Sequence, residues 1–295
     1  MASVQKQNVV DYVIICFMIF VIVITLYPFL NVTAKSFNDP IDTVKGGISI
    51  IPRVPTLQNY IGLFERGSNL PIAFRNSVLR TVLGAATGVL SCAMFAFALS
   101  RSDFLFRKVF TIILVITMYA SGGLIPSYLL IRNLGLINSF WVYIIPWLIS
   151  AFNVIVIRSY IDAIPYSLQE SARIDGANDL HIFFNIILPL SKPVLATIAL
   201  FVAVGQWNSW FDTYLYARGT VDLSTLQYEL MKVLDSSQAV GNAQDIYSEG
   251  LRKAKQSPEA IKMAITVIAT VPILVIYPFL QKYFVSGITL GAVKE

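Results

Sequence analysis

Long apolar runs alternate with short polar segments along this chain. Six of the runs are long enough to cross the hydrocarbon of a bilayer as a helix, which takes about 20 mostly apolar residues. Most are apolar all round, unlike amphipathic surface helices, and they lack the short alternating segments of a membrane barrel. The pattern predicts an all-α membrane protein with six transmembrane helices, at about 12–34, 72–100, 109–131, 139–160, 193–216 and 262–284.

The composition supports a membrane protein and excludes several other classes. Of the 295 residues, 56% are hydrophobic and 13% are charged, whereas a soluble domain is about 25% charged. Cys16 and Cys92 lie inside apolar runs and His181 is the only histidine, so no metal site is expected. The net charge of +5 comes without a basic run, and nucleic acid is not expected as a partner.

The charges of the loops predict the orientation. Six spans place both termini on the same side as residues 101–108 and 161–192. The stretch RSDFLFRK at 101–108 carries three cations, and the positive-inside rule makes that side cytoplasmic. Residues 217–261, on the opposite side, carry five cations, which weakens the inference from charge.

Two substantial segments, 36–71 and 217–261, are expected outside. The second contains LSTLQYELMKVLD, whose Leu226, Leu230 and Val233 recur at helical spacing and predict an amphipathic helix. Such a helix fits an ordinary interfacial loop and a docking surface for another protein equally well.

Glycines predict a break in the third span. Gly122 and Gly123, followed by Pro126, interrupt its helical pattern. In a membrane, broken helices line a cavity or pack on protein, because the freed backbone groups need partners. The break is therefore compatible with two interpretations, a transport pathway or a packing kink.

A charged insert, PYSLQESARIDGANDLHIFFNIILPL at 165–190, separates spans four and five. Ser167, three residues before Glu170, predicts a capping box at the start of a helix of about two turns. Gly176 is expected at the left-handed position that ends this helix. Asn178 is expected to cap a second helix, HIFFNIIL, that stops at Pro189. The result is either a rigid handle for a soluble partner or a well-capped solvated loop.

The insert resembles the EAA motif of ABC importer permeases, E-A-A-x-x-x-G followed after nine residues by I-x-L-P. The chain has ESARIDG at 170–176 and IILP at 186–189, with a small residue, serine, in place of the first alanine. The resemblance implies a type I ABC importer fold in which 161–192 is a cytoplasmic coupling loop that contacts an ATPase. The implied coupling residues are Ser167, Glu170, Ser171, Ala172, Arg173, Asp175, Gly176 and Ala177.

The C-terminal stretch SGITLGAVK at 286–294 is similar to the G-L-T-x-G-A-V-K-G tail of MalG-like sugar permeases, from which Leu290 and Glu295 depart. This implies that 285–295 is a cytoplasmic tail that contacts the ATPase. Its implied contact residues are Gly287, Thr289, Gly291 and Lys294. GQWNSWFDTYLY and SPEAIKMAITVIATVPILVIYPFLQKYF resemble the LplC/YtcP-type branch of oligosaccharide permeases, which includes alginate-type importers.

Polar and aromatic residues at membrane depth are candidates for a substrate path. Sugars pack their CH faces on aromatic rings and exchange hydrogen bonds with amides. An interfacial aromatic belt and ordinary interhelical hydrogen bonds are the alternatives. Asp212 is expected near the outer end of span five, where an ionisable residue costs less. The candidates are Tyr119, Asn153, Gln206, Trp207, Asn208 and Trp210, although in the maltose system the partner permease carries the main sugar site.

The resemblance implies one permease domain over 1–295, in the inner membrane of a bacterium, within an ATP-driven, binding-protein-dependent oligosaccharide importer. Acidic fragments such as alginate or pectin are candidate substrates. The implied partners are a second, homologous permease, an ATPase homodimer that holds ATP and Mg, an extracytoplasmic binding protein and membrane lipid. The sequence contains neither a Walker motif nor a nucleophile triad, so we expect that the chain is not an enzyme and binds no cofactor itself. The alternatives are an ion-driven carrier, whose midplane ionisable residues the spans largely lack, and a non-transporting scaffold or sensor.

Overall fold

A computed structural model describes the backbone of residues 9–64, 69–240 and 258–292. Over these ranges the chain is helical, and its only β contact is an isolated bridge between Asn38 and Pro55. The predicted all-α class is confirmed. The chain forms two compact units, Met1–Ser68 with Leu230–Val271, and Asn69–Glu229 with Pro272–Glu295.

Fourteen α-helices lie in the described ranges. Short 3-10 turns occupy Phe140–Tyr143, Ile145–Trp147 and Val221–Leu223, and a π-helical segment occupies Phe183–Ile187. The α-helices are α1 Val9–Ser36, α2 Pro40–Val44, α3 Gln58–Leu63, α4 Leu70–Ser100, α5 Arg107–Tyr119, α6 Leu124–Asn133, α7 Ala151–Asp162, α8 Ser167–Ile174, α9 Asp179–Ile182, α10 Leu188–Leu190, α11 Lys192–Asn208, α12 Phe211–Tyr216, α13 Leu226–Val240 and α14 Pro258–Ala292.

In the first unit, the segment after α1 is held together around the buried side chain of Asn38. Its amide oxygen accepts from the amide of Val54 at 2.8 Å, and its nitrogen donates to the hydroxyl of Thr43 at 3.1 Å. Asn59 donates to the backbone oxygen of Asn38, also at 2.8 Å. Asp39 caps α2 by accepting from two backbone amides. Residues 36–60 are therefore an ordered structure, built from side-chain to backbone hydrogen bonds.

Helix α4 is the centre of the second unit and packs along α7 and α11. The core between them is apolar, and α4 contributes small residues that let its neighbours approach closely. The same core continues into the insert, where Ile182, Phe183 and Ile187 are buried with it. Its other buried members are Cys92, Ala93, Ala96, Phe97, Leu99, Leu114, Val154, Ile157, Ile161, Val194 and Ile198.

The predicted amphipathic helix is confirmed as α13, and its beginning is fixed to α4 within the second unit. The amide of Leu226 donates to the hydroxyl of Ser77 at 2.9 Å. Asn76 donates to the backbone oxygens of Asp222 and Ser224, at 2.7 and 2.9 Å. The start of the predicted outer segment 217–261 is therefore anchored on the first turns of α4.

Among the described residues, three helical stretches are long and apolar enough to cross a membrane, namely Val9–Ser36, Leu70–Ser100 and Glu259–Ile276. The number rises to five if each of two bent pairs is one span. Phe140–Trp147 with Ala151–Asp162 bends by 47°, and Asp179–Leu190 with Lys192–Asn208 bends by 81°.

The predicted third span, 109–131, consists of two helices, α5 and α6. The chain leaves helical geometry after Tyr119 and resumes at Leu124. Gly123 has a φ of 86°, a left-handed conformation that glycine adopts without steric cost. The predicted break is confirmed, and it leaves two helices of 13 and 10 residues, each too short to cross a bilayer alone.

Candidate functional site: the charged insert and a buried ion pair

The first helix of the insert, α8, starts without the predicted capping box. Tyr166 precedes it with φ −62° and ψ −27°, which is already helical geometry, and no side chain caps the helix. The amide of Glu170, which Ser167 was expected to bond, donates instead to the backbone oxygen of Tyr166 at 3.1 Å. The prediction was wrong because Ser167 lies inside the first turn, where its side chain cannot reach that amide.

The end of α8 follows the prediction closely. Gly176 has a φ of 85°, and its amide donates to the backbone oxygen of Arg173 at 3.0 Å. The amide of Ala177 donates to the oxygen of Ala172 at 2.9 Å. These two bonds form a Schellman motif, in which the left-handed residue favours glycine. The predicted cap is also confirmed, since the Asn178 side chain accepts from the amide of His181 at 2.8 Å.

The second helical run of the insert passes through Pro189 instead of stopping there. Pro189 lies in the first turn of α10, and the run ends at Leu190, before the bend at Ser191. A proline inside an α-helix normally loses a hydrogen bond and clashes with the preceding turn. Here the preceding turn, Phe183–Ile187, is π-helical, and this wider turn accommodates the proline.

Four charged side chains tie the insert to the end of α4. Arg101, which is 6% exposed, donates to the carboxylate of Asp103 at 3.1 and 3.2 Å and pairs with Asp179 at 3.1 Å. Arg173 pairs with the same two carboxylates at 3.0 and 3.4 Å. Arg101 also donates to the side chain of Gln169, a buried residue of α8. We call these four charged residues the insert clamp.

The insert clamp was only partly visible in the sequence. Arg173 was predicted as a coupling residue from the motif, whereas Arg101 and Asp103 were considered only as loop charges. The sequence does contain a signal for them, because the loop after span two and the insert each carry one cation and one anion of this group. Which cation meets which anion depends on the tertiary packing of α4 against the insert.

Helix α8 and the turn that follows it, residues 175–177, have an inner and an outer face. Ala172 and Ala177 are partly buried against the core of the second unit, and Gln169 is buried. Leu168 and Ile174 are 44% and 86% exposed. The outer surface of the insert therefore offers apolar contacts beside polar ones, and its exposed predicted coupling residues are Ser167, Glu170, Ser171, Arg173, Asp175 and Gly176.

The predicted ATPase-contacting tail is described only in part. The backbone of α14 stays helical through Ala292 and includes Gly287, Thr289 and Gly291. Lys294 lies outside the described residues.

A buried ion pair lies between α4 and α12 in the second unit. Arg80 is 1% exposed and Asp212 is 5% exposed. The two terminal nitrogens of Arg80 donate to the two carboxylate oxygens of Asp212. Asp212 was predicted at the outer end of span five, where an ionisable residue costs less, and Arg80 was not predicted as its partner. An arginine inside a predicted span is nevertheless a signal that a buried partner exists.

Gln206 completes the surroundings of Arg80. Its side-chain oxygen accepts from Nε and Nη2 of Arg80 at 3.1 and 2.9 Å. Its nitrogen donates to the backbone oxygen of Tyr143 at 3.0 Å. The guanidinium lies 4.4 Å from the centre of the Tyr143 ring, close enough for a cation–π interaction.

The predicted substrate-path residues do not form one cluster. Asn153 and Gln206 line the same cavity, of about 350 Å³. Trp207 is buried and meets the edge of another ring, Asn208 is exposed and accepts from a neighbouring glutamine, and Trp210 packs among rings of α12. Tyr119 is 86% exposed, at the end of α5. The structure therefore brings together two of the six candidates.

Residues 70–290 match a protein family described as binding-protein-dependent transport system inner membrane component. The chain is 37% identical to the polygalacturonan/rhamnogalacturonan transport system permease protein YtcP of Bacillus subtilis (strain 168), over 98% of this chain and 100% of that protein. It is 35% identical to protein LplC of the same organism, over 100% of this chain and 98% of that protein.

Two solved structures share the fold. One is from a bacterial ABC transporter involved in the import of the acidic polysaccharide alginate, with TM-score 0.82 and 29% identity over 95% of this chain and 99% of that chain. The other is from a bacterial alginate ABC transporter in complex with an alginate pentasaccharide-bound periplasmic protein, with TM-score 0.55 and 18% identity over 92% of each chain. At that identity the second shows the fold alone.

Proposed function

Because the chain belongs to the family of binding-protein-dependent transport system inner membrane components, we propose that it is the membrane-spanning subunit of an oligosaccharide importer driven by a separate ATPase. It is a permease subunit of an ABC transporter, as its relatives are. In this proposal it pairs with a second, homologous permease. An ATPase homodimer on the inside binds ATP and Mg, and an extracytoplasmic binding protein delivers the sugar.

The insert is the observation that carries the proposal. Its outer face is open to a partner, whereas its inner face is fixed to α4 by the insert clamp and by the shared core. A partner that pushes α8 therefore moves α4 and α11 with it, because these parts pack as one body. In this mechanism Glu170 anchors the helix on the ATPase, and Gly176 keeps the turn that connects α8 to α9.

The topology that fits this function has six spans. They are α1, α4, α5 with α6, the turns at 140–147 with α7, α11 with α12, and α14. The insert, both termini and the 285–295 tail then lie in the cytoplasm. That tail contacts the ATPase through Gly287, Thr289, Gly291 and Lys294, and segments 36–71 and 217–261 lie on the outer side of the membrane.

The names of the relatives support a proposal for the substrate class. Their names refer to polygalacturonan and rhamnogalacturonan, arabinooligosaccharides and galactooligosaccharides, and a structural neighbour serves alginate import. We therefore propose plant or algal polysaccharide fragments, including acidic ones, as substrates. The proposed path uses Asn153 and Gln206 at the cavity, with Tyr119, Trp207, Asn208 and Trp210 along the remaining course.

The test replaces Gly176 in the complete importer. A Gly176→Val substitution puts a β-branched side chain at a φ of 85°, where such residues are strained. We expect uptake to fall at least tenfold while the protein still inserts, because the Schellman turn that positions α8 is lost. Gly176→Asn is the matched control, since asparagine tolerates left-handed geometry, and it should keep most of the uptake. Normal uptake by the valine variant would refute the coupling role.

A further inference from the structure

The cavity beside Arg80 contains a buried amide without a partner. Asn153, in the first turn of α7, is 9% exposed and lines the cavity. Its side-chain amide makes no hydrogen bond to any other residue that the structure describes, and it remains accessible from the cavity. Two hydroxyls without a side-chain partner in the described ranges, those of Ser150 and Ser209, line the same space. The cavity therefore presents three free polar groups to whatever enters it.

The arginine in the wall does not add a free positive charge. Arg80 makes five hydrogen bonds, two to Asp212, two to Gln206 and one to the backbone oxygen of Ser209. A guanidinium has five N–H donors, so none is left for a ligand. Its charge is compensated by the carboxylate of Asp212. A carboxylate of an acidic sugar would find neither a donor nor a net charge on Arg80.

The remaining wall provides aromatic faces. Trp147 and Phe201 line the cavity and are 59% and 50% exposed. Its volume of about 350 Å³ lies at the lower end of small-molecule sites, which span about 300–1,000 Å³. Aromatic surface combined with an amide and hydroxyls matches a sugar ring, which has apolar CH faces and a rim of hydroxyls.

We propose that this cavity is a subsite for one sugar unit of the transported oligosaccharide, recognised through its hydroxyls by Asn153, Ser150 and Ser209. The inference rests on the proposed function, because it takes the ligand to be the imported oligosaccharide. It adds two specific points. One sugar unit binds in this cavity through its hydroxyls, and the contact does not discriminate between an acidic unit and its neutral ester.

The experiment uses the complete importer in proteoliposomes, with its binding protein present. A panel of trigalacturonate, its trimethyl ester, galactotriose, arabinotriose and an alginate trisaccharide identifies the sugars that the wild type transports. The variant Asn153→Leu keeps the size of the side chain and removes the amide. We expect it to raise the KM of each transported sugar about 3- to 10-fold, which corresponds to the loss of one or two hydrogen bonds. The maximal rate should change less.

Two controls make the outcome specific. Asn133→Leu changes an exposed amide at the end of α6, outside the cavity, and should leave KM within a factor of two. The yield of assembled complex after size-exclusion chromatography shows whether Asn153→Leu still folds. If it does not, Asn153→Ser and Ser209→Ala provide the same KM test with smaller changes.

The outcomes separate the two proposals. Uptake by the wild type with an unchanged KM in the cavity variants would overturn the subsite and leave the importer intact. A rise in KM for trigalacturonate but not for its ester would overturn recognition through hydroxyls. Transport of no sugar in the panel by an assembled, ATP-hydrolysing complex would overturn the proposed oligosaccharide function, and the subsite with it.

Discussion

At Gly84, the absence of a side chain allows α4 and α11 to approach each other closely. A Cβ at this position would lie 2.8 Å from the side-chain nitrogen of Gln206. That nitrogen donates a hydrogen bond to the backbone oxygen of Tyr143, and the oxygen of the same amide accepts one from Arg80. The side chain of Gln206 therefore cannot move aside without leaving buried polar groups unpaired, which costs about 1–3 kcal/mol.

We predict that Gly84→Ala destabilises the protein by about 1–2 kcal/mol, although alanine in a helix interior is favoured over glycine by about 0.5–1 kcal/mol. Gly88→Ala is the control one turn further along the same helix. There the nearest atom to the new Cβ is 3.6 Å away, an ordinary contact, so the helix preference should dominate and stability should stay equal or rise. Thermal unfolding in detergent measures both variants, and equal shifts would contradict the proposed close contact.

Single positions also show what the sequence could and could not predict about the site. Asn153 and Gln206 were found because amides at membrane depth need partners or ligands. Arg80 was missed because it lies in a run whose average is strongly apolar. An arginine in such a run requires a buried anion, and Asp212 in span five was available. That the two meet depends on how α4 and α12 pack, and no local pattern encodes that.

Helices and turns were predicted best where backbone stereochemistry alone decides the geometry. Gly176 has the left-handed conformation expected of it, Asn178 caps its helix, and the third span breaks at Gly123 as predicted. The capping box at Ser167 failed because the residue before it already has helical geometry. The stop at Pro189 failed because a π-helical turn precedes it. In both cases the conformation of neighbouring residues outweighed a correct local preference.

The insert clamp leads to a prediction about coupling between elements. Asp103 bridges Arg101 and Arg173, so Asp103→Lys places three cations together and should loosen the insert from α4. Because the carboxylate of Asp103 is 56% exposed, the loss of stability should be small, about 0–1 kcal/mol. We expect sugar transported per ATP hydrolysed to fall at least fivefold in the reconstituted complex, with an intermediate loss for Asp103→Asn.

The control for the insert clamp is an acidic residue elsewhere. Asp222 is exposed, and its side chain forms no ion pair with the described residues. Asp222→Lys makes the same change of charge and should leave the transport ratio within a factor of two. An unchanged ratio in Asp103→Lys would show that force reaches α4 through the apolar core alone.

For the whole molecule, the number of spans depends on α5 and α6. The helices described as long enough to span number three, or five with the bent pairs, and α5 with α6 is not among them. The six-span topology requires this broken pair to cross as well. If α5 with α6 crosses the membrane, every later segment lies on the opposite side from where it would lie if the pair did not cross. Locating a few residues relative to the membrane therefore decides the number of spans.

We therefore predict the labelling pattern of single cysteines, introduced after Cys16→Ser and Cys92→Ala substitutions. With six spans, four crossings separate Ser49 from Asp222, and three separate Ser49 from Ala163. All three positions are exposed, so a membrane-impermeant maleimide should label Ser49→Cys and Asp222→Cys in intact cells and Ala163→Cys only after permeabilisation. If α5 and α6 do not cross, Ser49→Cys and Ala163→Cys share one side and Asp222→Cys takes the other. An inverted orientation would label only Ala163→Cys in intact cells, and the insert could then not meet a cytoplasmic ATPase.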